Sequence, residues 1–132
     1  MFPNVATVNR PRVVNTSSRR KRPAVPVADA LHAFIHSSAH RSPKTLETLT
    51  ERLTPFVDCL ARLGIHDVLD VTREHVEGFI REIAGGRRGK PLSAHSVYGY
   101  TKDVKAFINY VAENLAPEDW QNPVRKLKLR QP

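Results

Sequence analysis

Apolar residues recur with the period of an α-helix in four separate segments of this chain, and this pattern constrains the fold more than any other feature. The clearest stripe runs from Leu46 to Leu63 and covers five turns of one helical face. The other three stripes begin near Val27, Thr72 and Ser93. No segment alternates apolar and polar residues as a half-buried strand does. The sequence therefore predicts an all-α domain, a compact bundle of four main helices.

Capping residues and helix breakers predict where these helices begin and end. The first helix is expected over residues 27–38. Ser42 is a suitable N-cap for the second helix, with Pro43 in the first turn and Gly64 after the last turn. The third and fourth helices have boundary residues of the same kinds, namely Thr72, Ser93 and Pro117.

The starts of the second and fourth helices repeat one another at a spacing of 51 residues. Ser42 and Ser93 are each followed by a hydroxyl residue three positions later and by apolar residues at positions +11 and +14. Helix starts with hydroxyls, unpaired backbone N–H groups and nearby bases are typical phosphate-binding positions. The alternative is that every helix needs a cap and that the spacing arises by chance.

The net charge of +8 is concentrated in two flanking segments. Residues 1–26 contain six basic and no acidic residues, residues 124–132 contain four basic and no acidic residues, and the stretch between them is nearly neutral. Basic flanks attract polyanions without reading sequence. We expect residues 1–26 to be a disordered basic arm; a solubilising tail and an organelle transit peptide are the alternatives.

The remaining composition narrows the classes of function. A single cysteine, Cys59, excludes an internal disulfide and a zinc site built on a cysteine cluster. His32 and His36 have the spacing of helical zinc ligands but no evident third ligand, so we predict neither a metal nor a cofactor. We expect Cys59 to be buried and Trp120 to pack the C-terminal segment against the bundle. No apolar run reaches the length of a membrane span, which favours a soluble, cytoplasmic protein.

The polar side of the fourth helix combines hydrogen-bond donors, an aromatic ring and bases. The residues opposite its apolar stripe are His95, Tyr98, Gly99, Lys102 and Asn109, and Lys105 lies at the edge. Such a face suits contacts with phosphates and base edges, and the glycine would permit close approach of a DNA backbone. The alternative is an ordinary solvated face.

We therefore predict a DNA-binding surface made of two helix starts, two polar helix faces and the basic loop after the third helix. No catalytic residue is predicted. The fifteen candidate DNA-binding residues are Arg41, Lys44, Thr45, Thr48, Arg52, Arg87, Arg88, Lys90, Ser93, His95, Ser96, Tyr98, Gly99, Lys102 and Lys105.

Four stretches, in this order and spacing, resemble the N-terminal core-binding domain of tyrosine recombinases, also called phage integrases, which has a SAM-like helical fold. They are SPKTLETLTERLTPFVDCL (42–60), DVLDVTREHVEGFIREI (67–83), PLSAHSVYGYTKDVKAFINYVAEN (91–114) and NPVRKLKL (122–129).

The resemblance implies that the chain clamps duplex DNA together with a C-terminal catalytic domain during site-specific recombination or integration. That catalytic domain would carry the Arg–His–Arg set and the tyrosine nucleophile, so this chain is not expected to be an enzyme. The expected organisation is a basic arm over 1–26, a core-binding domain over 27–121 and an interdomain linker over 122–132. The expected partners are double-stranded DNA, the catalytic domain and other recombinase protomers, with the protein associated with the nucleoid when bound.

Two other classes of function stay open on the sequence. One is a freestanding helical DNA-binding or architectural protein without a recombinase partner. The other is a helical protein-interaction module whose basic tails contact acidic proteins or membrane surfaces. Duplex affinity at moderate salt separates the protein-interaction module from the two DNA-binding classes.

Overall fold

Over the residues that the structure describes, the chain forms an all-α bundle of four main helices, as the periodicity predicted. The structure, a computed structural model, describes residues 23–86, 90–129 and 132. Within these residues there is no β-strand. The helices are α1 (Val27–Ser37), α2 (Pro43–Arg62), α3 (Arg73–Gly85) and α4 (Ala94–Asn114), with a short 3-10 turn at Val68–Asp70. Most of the predicted N-terminal arm, residues 1–22, lies outside the described residues.

The predicted caps are confirmed. The Ser42 hydroxyl accepts a hydrogen bond from the backbone N–H of Thr45 at 3.1 Å, and Pro43 occupies the first helical position of α2. Gly64 follows the last turn of α2 with a φ of 77°. Its N–H bonds to the Ala61 carbonyl, and the next N–H, from Ile65, bonds to the Leu60 carbonyl. These two bonds close α2 in the way that a left-handed glycine permits.

Helices α2 and α4 pack together through equivalent positions of the 51-residue repeat. Phe56 and Phe107 stack edge to face with ring centroids 6.4 Å apart, and one turn earlier Arg52 pairs with Asp103. From the ion pair to the aromatic pair, the residue number rises by four in α2 and also by four in α4. The two helices therefore run in the same direction where they meet. Arg52 and Asp103 each lie nine residues after the first residue of their helix, which is about 14 Å along the helix axis. Both N-terminal turns therefore lie toward the same end of the molecule.

The other two helices complete the core around this pair. Phe34 of α1 lies 5.6 Å from Phe107, and Phe79 of α3 lies 5.2 Å from Phe56, measured between ring centroids. The rings of Phe56, Phe79 and Phe107 are almost fully buried. Aromatic pairs at these distances add a geometric preference to the burial of apolar area, so they fix how the helices sit.

The C-terminal segment differs from the prediction of a linker over residues 122–132. Val124 is fully buried and Leu127 is 9% exposed, and both belong to the core. The Asn122 side-chain amide also donates to the Asn109 side-chain oxygen at 2.9 Å. Two apolar residues three positions apart are enough to dock this segment, while the neighbouring bases stay in solvent. The folded domain thus extends past residue 121, although the described residues of this segment are not helical.

The N-terminal boundary also shifts by a few residues. The Val25 carbonyl accepts from the Val68 N–H at 2.8 Å, and the Val25 N–H donates to the Asp67 carboxylate at 3.2 Å. Val25 and Pro26, which were assigned to the basic arm, are therefore attached to the turn before α3. In the described part of the chain, no helix has the length and apolar character that crossing a membrane requires.

Candidate nucleic-acid interface

A polar stripe runs along the first half of α2. Thr45, Thr48 and Arg52 follow one another at intervals of three or four residues, so they lie on one side of the helix, and Arg41 precedes the helix by two residues, close enough for its charge to act on Asp103 of α4. Arg41 and Thr45 are exposed, whereas Thr48 and Arg52 are half-buried because they lie beside α4. The structure thus places these four predicted residues together.

A second polar stripe runs along the first half of α4. His95, Tyr98 and Lys102 are spaced three and four residues apart and occupy one side of this helix. His95 and Lys102 are exposed, and Tyr98 is half-buried. Within the described residues, neither Lys102 nor Arg41 of the first stripe has an ion-pair partner. The stripe therefore offers a cation, an aromatic ring and imidazole nitrogens to a ligand.

Arg52 connects the two stripes. Its guanidinium lies against the backbone of α4 at Gly99, where an added Cβ would be 2.6 Å from the Arg52 Cζ atom. Gly99, which was expected to admit a DNA backbone, is buried in this structure, and the arginine occupies the space beside it. We call the joined surface the α2–α4 face, and its residues are Arg41, Thr45, Thr48, Arg52, His95, Tyr98 and Lys102.

Beneath this face lies a buried carboxylate. The Arg52 Nη1 atom is 3.4 Å from the Asp103 Oδ2 atom, and the two side chains are 35% and 12% exposed. Burial raises the pKa of Asp103 above its ordinary value, and the hydrogen bond and positive charge of Arg52 oppose that rise. Arg52 thus partly neutralises Asp103. About a third of the Arg52 side chain stays exposed to solvent.

The two helix starts on this end differ in what they leave unpaired. At α4, the Ser93 hydroxyl accepts from the Ser96 N–H at 3.1 Å, and among the described residues the N–H groups of Ala94 and His95 have no acceptor. At α2, Pro43 has no N–H and the Thr45 N–H is capped by Ser42, so within the described first turn of this helix only the backbone N–H of Lys44 is left without an acceptor. The start of α4 is therefore the better anion site of the two.

The structure gives two predicted DNA-binding lysines other partners. The Lys44 ammonium lies 3.3 Å from the Glu47 carboxylate in an exposed pair, which weakens its attraction for a second anion. The Lys105 ammonium donates to the Leu127 carbonyl at 2.6 Å and so fastens the C-terminal segment to α4. We assign Lys105 to the fold and leave it out of the α2–α4 face.

Of the predicted bases in the loop after α3, the structure describes only Lys90, and it does not place Lys90 in the α2–α4 face. Lys90 lines a cavity together with Pro55, Asp58 and Glu82, farther along α2 and against α3. Its immediate surroundings thus include two carboxylates. The predicted residues Arg87 and Arg88 lie outside the described part of the chain.

Sequence reasoning did not identify Asp103 as part of the site. A signal for it exists in the repeat, because Arg52 and Asp103 occupy the same position, ten residues after Ser42 and Ser93. An acid among the apolar positions of α4 also predicts a buried partner of opposite charge. Reading both signals together would have predicted this pair.

The predictions for two other residues, Cys59 and Trp120, are confirmed. Cys59 is buried, and burial raises the pKa of its thiol. The Trp120 indole N–H donates to the Leu69 carbonyl at 2.9 Å and packs the segment after α4 onto the core. The Tyr100 and Tyr110 rings pack against Phe79 and Phe34.

A comparison of the chain with family models, curated proteins and solved structures finds no match.

Proposed function

We propose that this chain binds duplex DNA through the α2–α4 face, as the core-binding domain of a tyrosine recombinase would. The observation that carries the proposal is the contact between Arg52 and Gly99, which joins two polar stripes into one surface. This surface has three cations, Arg41, Arg52 and Lys102, spread over two helices that run in the same direction. Cations and hydroxyls in such an array suit phosphate contacts along a duplex.

The charge distribution supports a polyanion as the partner. The chain carries +8 overall, and residues 1–22 hold six bases without an acid. Three exposed bases that follow Val124, namely Arg125, Lys126 and Lys128, add positive charge after α4. Charge of this kind attracts DNA without sequence preference, while the α2–α4 face supplies a shaped surface with an aromatic ring and imidazole for base edges.

The role in recombination rests on the family resemblance. In this proposal the chain holds one side of the duplex, and a catalytic domain with the tyrosine nucleophile holds the other. Two of the tyrosines of α4, Tyr100 and Tyr110, pack against phenylalanine rings of the core. They serve the fold, and the proposal gives this chain no step in cleaving DNA.

The test is a salt titration of duplex binding by the full chain and by a chain of residues 23–132. The shortened chain keeps the segment around Val124, because that segment belongs to the core. If the full chain contacts about six phosphates, log K falls with log salt at a slope of about −5. The shortened chain keeps about half of this slope through the α2–α4 face. Loss of all salt-dependent binding on shortening contradicts the proposal.

A further inference from the structure

The Arg52 guanidinium lies against α4 in the space beside Gly99, and we call this space the seat of Arg52. A Cβ placed on Gly99 would be 2.6 Å from the Arg52 Cζ atom and 2.8 Å from each of its two terminal nitrogens. Carbon atoms essentially never approach so closely, so every residue other than glycine at this position would displace the guanidinium. Glycine is a poor helix former, and Gly99 lies inside the 21-residue helix α4. Glycine at this position thus leaves room for the end of the Arg52 side chain against α4.

A second residue of α4 holds the guanidinium in this seat. Asp103 lies one turn after Gly99, and its carboxylate accepts a hydrogen bond from the Arg52 Nη1 atom at 3.4 Å. An arginine has five N–H donors, so one bond to Asp103 leaves the others available to a further ligand. The two contacts restrict a long side chain that is mobile when it is exposed to solvent.

We propose that Gly99 and Asp103 are positioning residues that hold the Arg52 guanidinium between α2 and α4 for a phosphate of the DNA backbone. This inference rests on the function proposed above and names how one cation of the α2–α4 face is presented. A cation held in place before binding loses less side-chain freedom when the phosphate arrives, and affinity rises accordingly. Neither Gly99 nor Asp103 needs to touch the DNA.

Gly99→Ala tests the seat without changing any charge. The added methyl group displaces the guanidinium, while alanine favours the helix. We expect duplex affinity to fall by roughly tenfold, about as much as in Arg52→Gln, which corresponds to one lost charge-assisted hydrogen bond. Gly78→Ala is the matched control, because it makes the same change inside α3 and its Cβ would meet only the end of Arg81 at 3.8 Å. Circular dichroism on each variant verifies the helical content.

The double variant separates positioning from a direct role of Gly99. If the glycine acts through the arginine, Gly99→Ala adds no further loss once Arg52→Gln is present. Additive losses would mean that Gly99 affects binding by another route, and they would overturn the inference. Equal affinities of Gly99→Ala and Gly78→Ala, with Arg52→Gln weakened, would overturn the inference and leave the proposed function intact. No salt-dependent binding by the unchanged chain would overturn the proposed function, and the inference with it.

Asp103→Asn tests the second positioning residue. It removes a negative charge near the DNA, which by itself strengthens binding, but it also weakens the hold on Arg52. We expect the loss of positioning to dominate and the affinity to fall about threefold, since a neutral acceptor forms a weaker bond to a guanidinium. Asp29→Asn on the exposed side of α1 makes the same charge change and is expected to bind slightly more tightly. Tighter binding by Asp103→Asn than by Asp29→Asn would show that the carboxylate competes with phosphate for Arg52, which contradicts the inference.

Discussion

Arg52 of α2 and Asp103 of α4 lie at equivalent positions of a 51-residue sequence repeat, and their side chains form an ion pair across the helix contact at 3.4 Å. The next equivalent pair, Phe56 and Phe107, stacks one turn farther on. The repeat therefore describes more than two similar helix starts. It sets two helices side by side in the same direction and brings their polar sides together at one end.

Removal of the Ser93 cap is expected to destabilise the fold. Ser93→Ala leaves the Ser96 N–H without its acceptor, so we expect the free energy of unfolding to fall by about 1 kcal/mol. Urea unfolding followed by circular dichroism measures this change. Ser96→Ala is the control, because the cap uses the backbone of Ser96 and the substitution leaves that bond in place. Equal losses in the two variants would contradict the role of the cap.

The aromatic centre of the core is expected to carry a large share of the stability. Phe107 is fully buried and contacts both Phe34 and Phe56, so Phe107→Ala is expected to lower the free energy of unfolding by about 3–5 kcal/mol. Leu63, which is 57% exposed, is the control. A change of less than about 0.5 kcal/mol is expected for Leu63→Ala. A similarly small change for Phe107→Ala in chemical unfolding would contradict this packing.

Lys102 and Lys105 are expected to show opposite phenotypes although they lie three residues apart. Lys105→Ala removes the bond to the Leu127 carbonyl, and we expect a loss of about 1 kcal/mol in unfolding free energy. Its effect on duplex affinity is small. Lys102 is exposed, so Lys102→Ala is expected to leave stability unchanged and to weaken DNA binding. Amide exchange over residues 122–129 gives a direct reading, because only Lys105→Ala speeds it. The reverse pattern would contradict the division between fold and interface.

Asp103 is expected to make stability depend on pH. Its pKa in the folded chain lies above the ordinary value of 3.8, so the folded state binds this proton more tightly than the unfolded state. The contribution of Asp103 to stability is therefore greatest in acid and declines as pH rises through the folded pKa. Asp103→Asn lacks this dependence. The unfolding free energy of Asp103→Asn relative to the unchanged chain should rise between pH 3 and neutral pH, and a constant difference would contradict the expectation.

The helices could be predicted from the sequence because their signals are local. The apolar stripe of α2, the Ser42 cap and Gly64 each depend on neighbours within one or two turns, and the structure has all three where they were expected. The burial of Cys59 follows from its place beside the apolar stripe of α2. Local signals of this kind agree with the fold because each is satisfied within its own segment.

The parts that sequence analysis missed depend on contacts between distant segments. Nothing close to Lys105 in the sequence indicates the Leu127 carbonyl, 22 residues away. Val124 and Leu127 stand among bases in a stretch that the family resemblance assigned to a linker, although two apolar side chains suffice to dock the segment. Gly99 was predicted to contact DNA because the sequence around it does not indicate its neighbour in space, Arg52, which lies in another helix. Side-chain partners across helices decide these cases.

The central claim, that the α2–α4 face binds DNA, is tested most directly by the salt dependence of duplex binding in Lys102→Ala and Arg73→Ala. Both variants remove one positive charge, but Lys102 lies in the face, whereas Arg73 lies at the start of α3 and pairs with Glu77 at 3.0 Å. We predict that Lys102→Ala reduces the slope of log K against log salt by about 1 unit and that Arg73→Ala leaves the slope almost unchanged. Equal changes in the two slopes would show that the face is an ordinary solvated surface, and they would contradict the account.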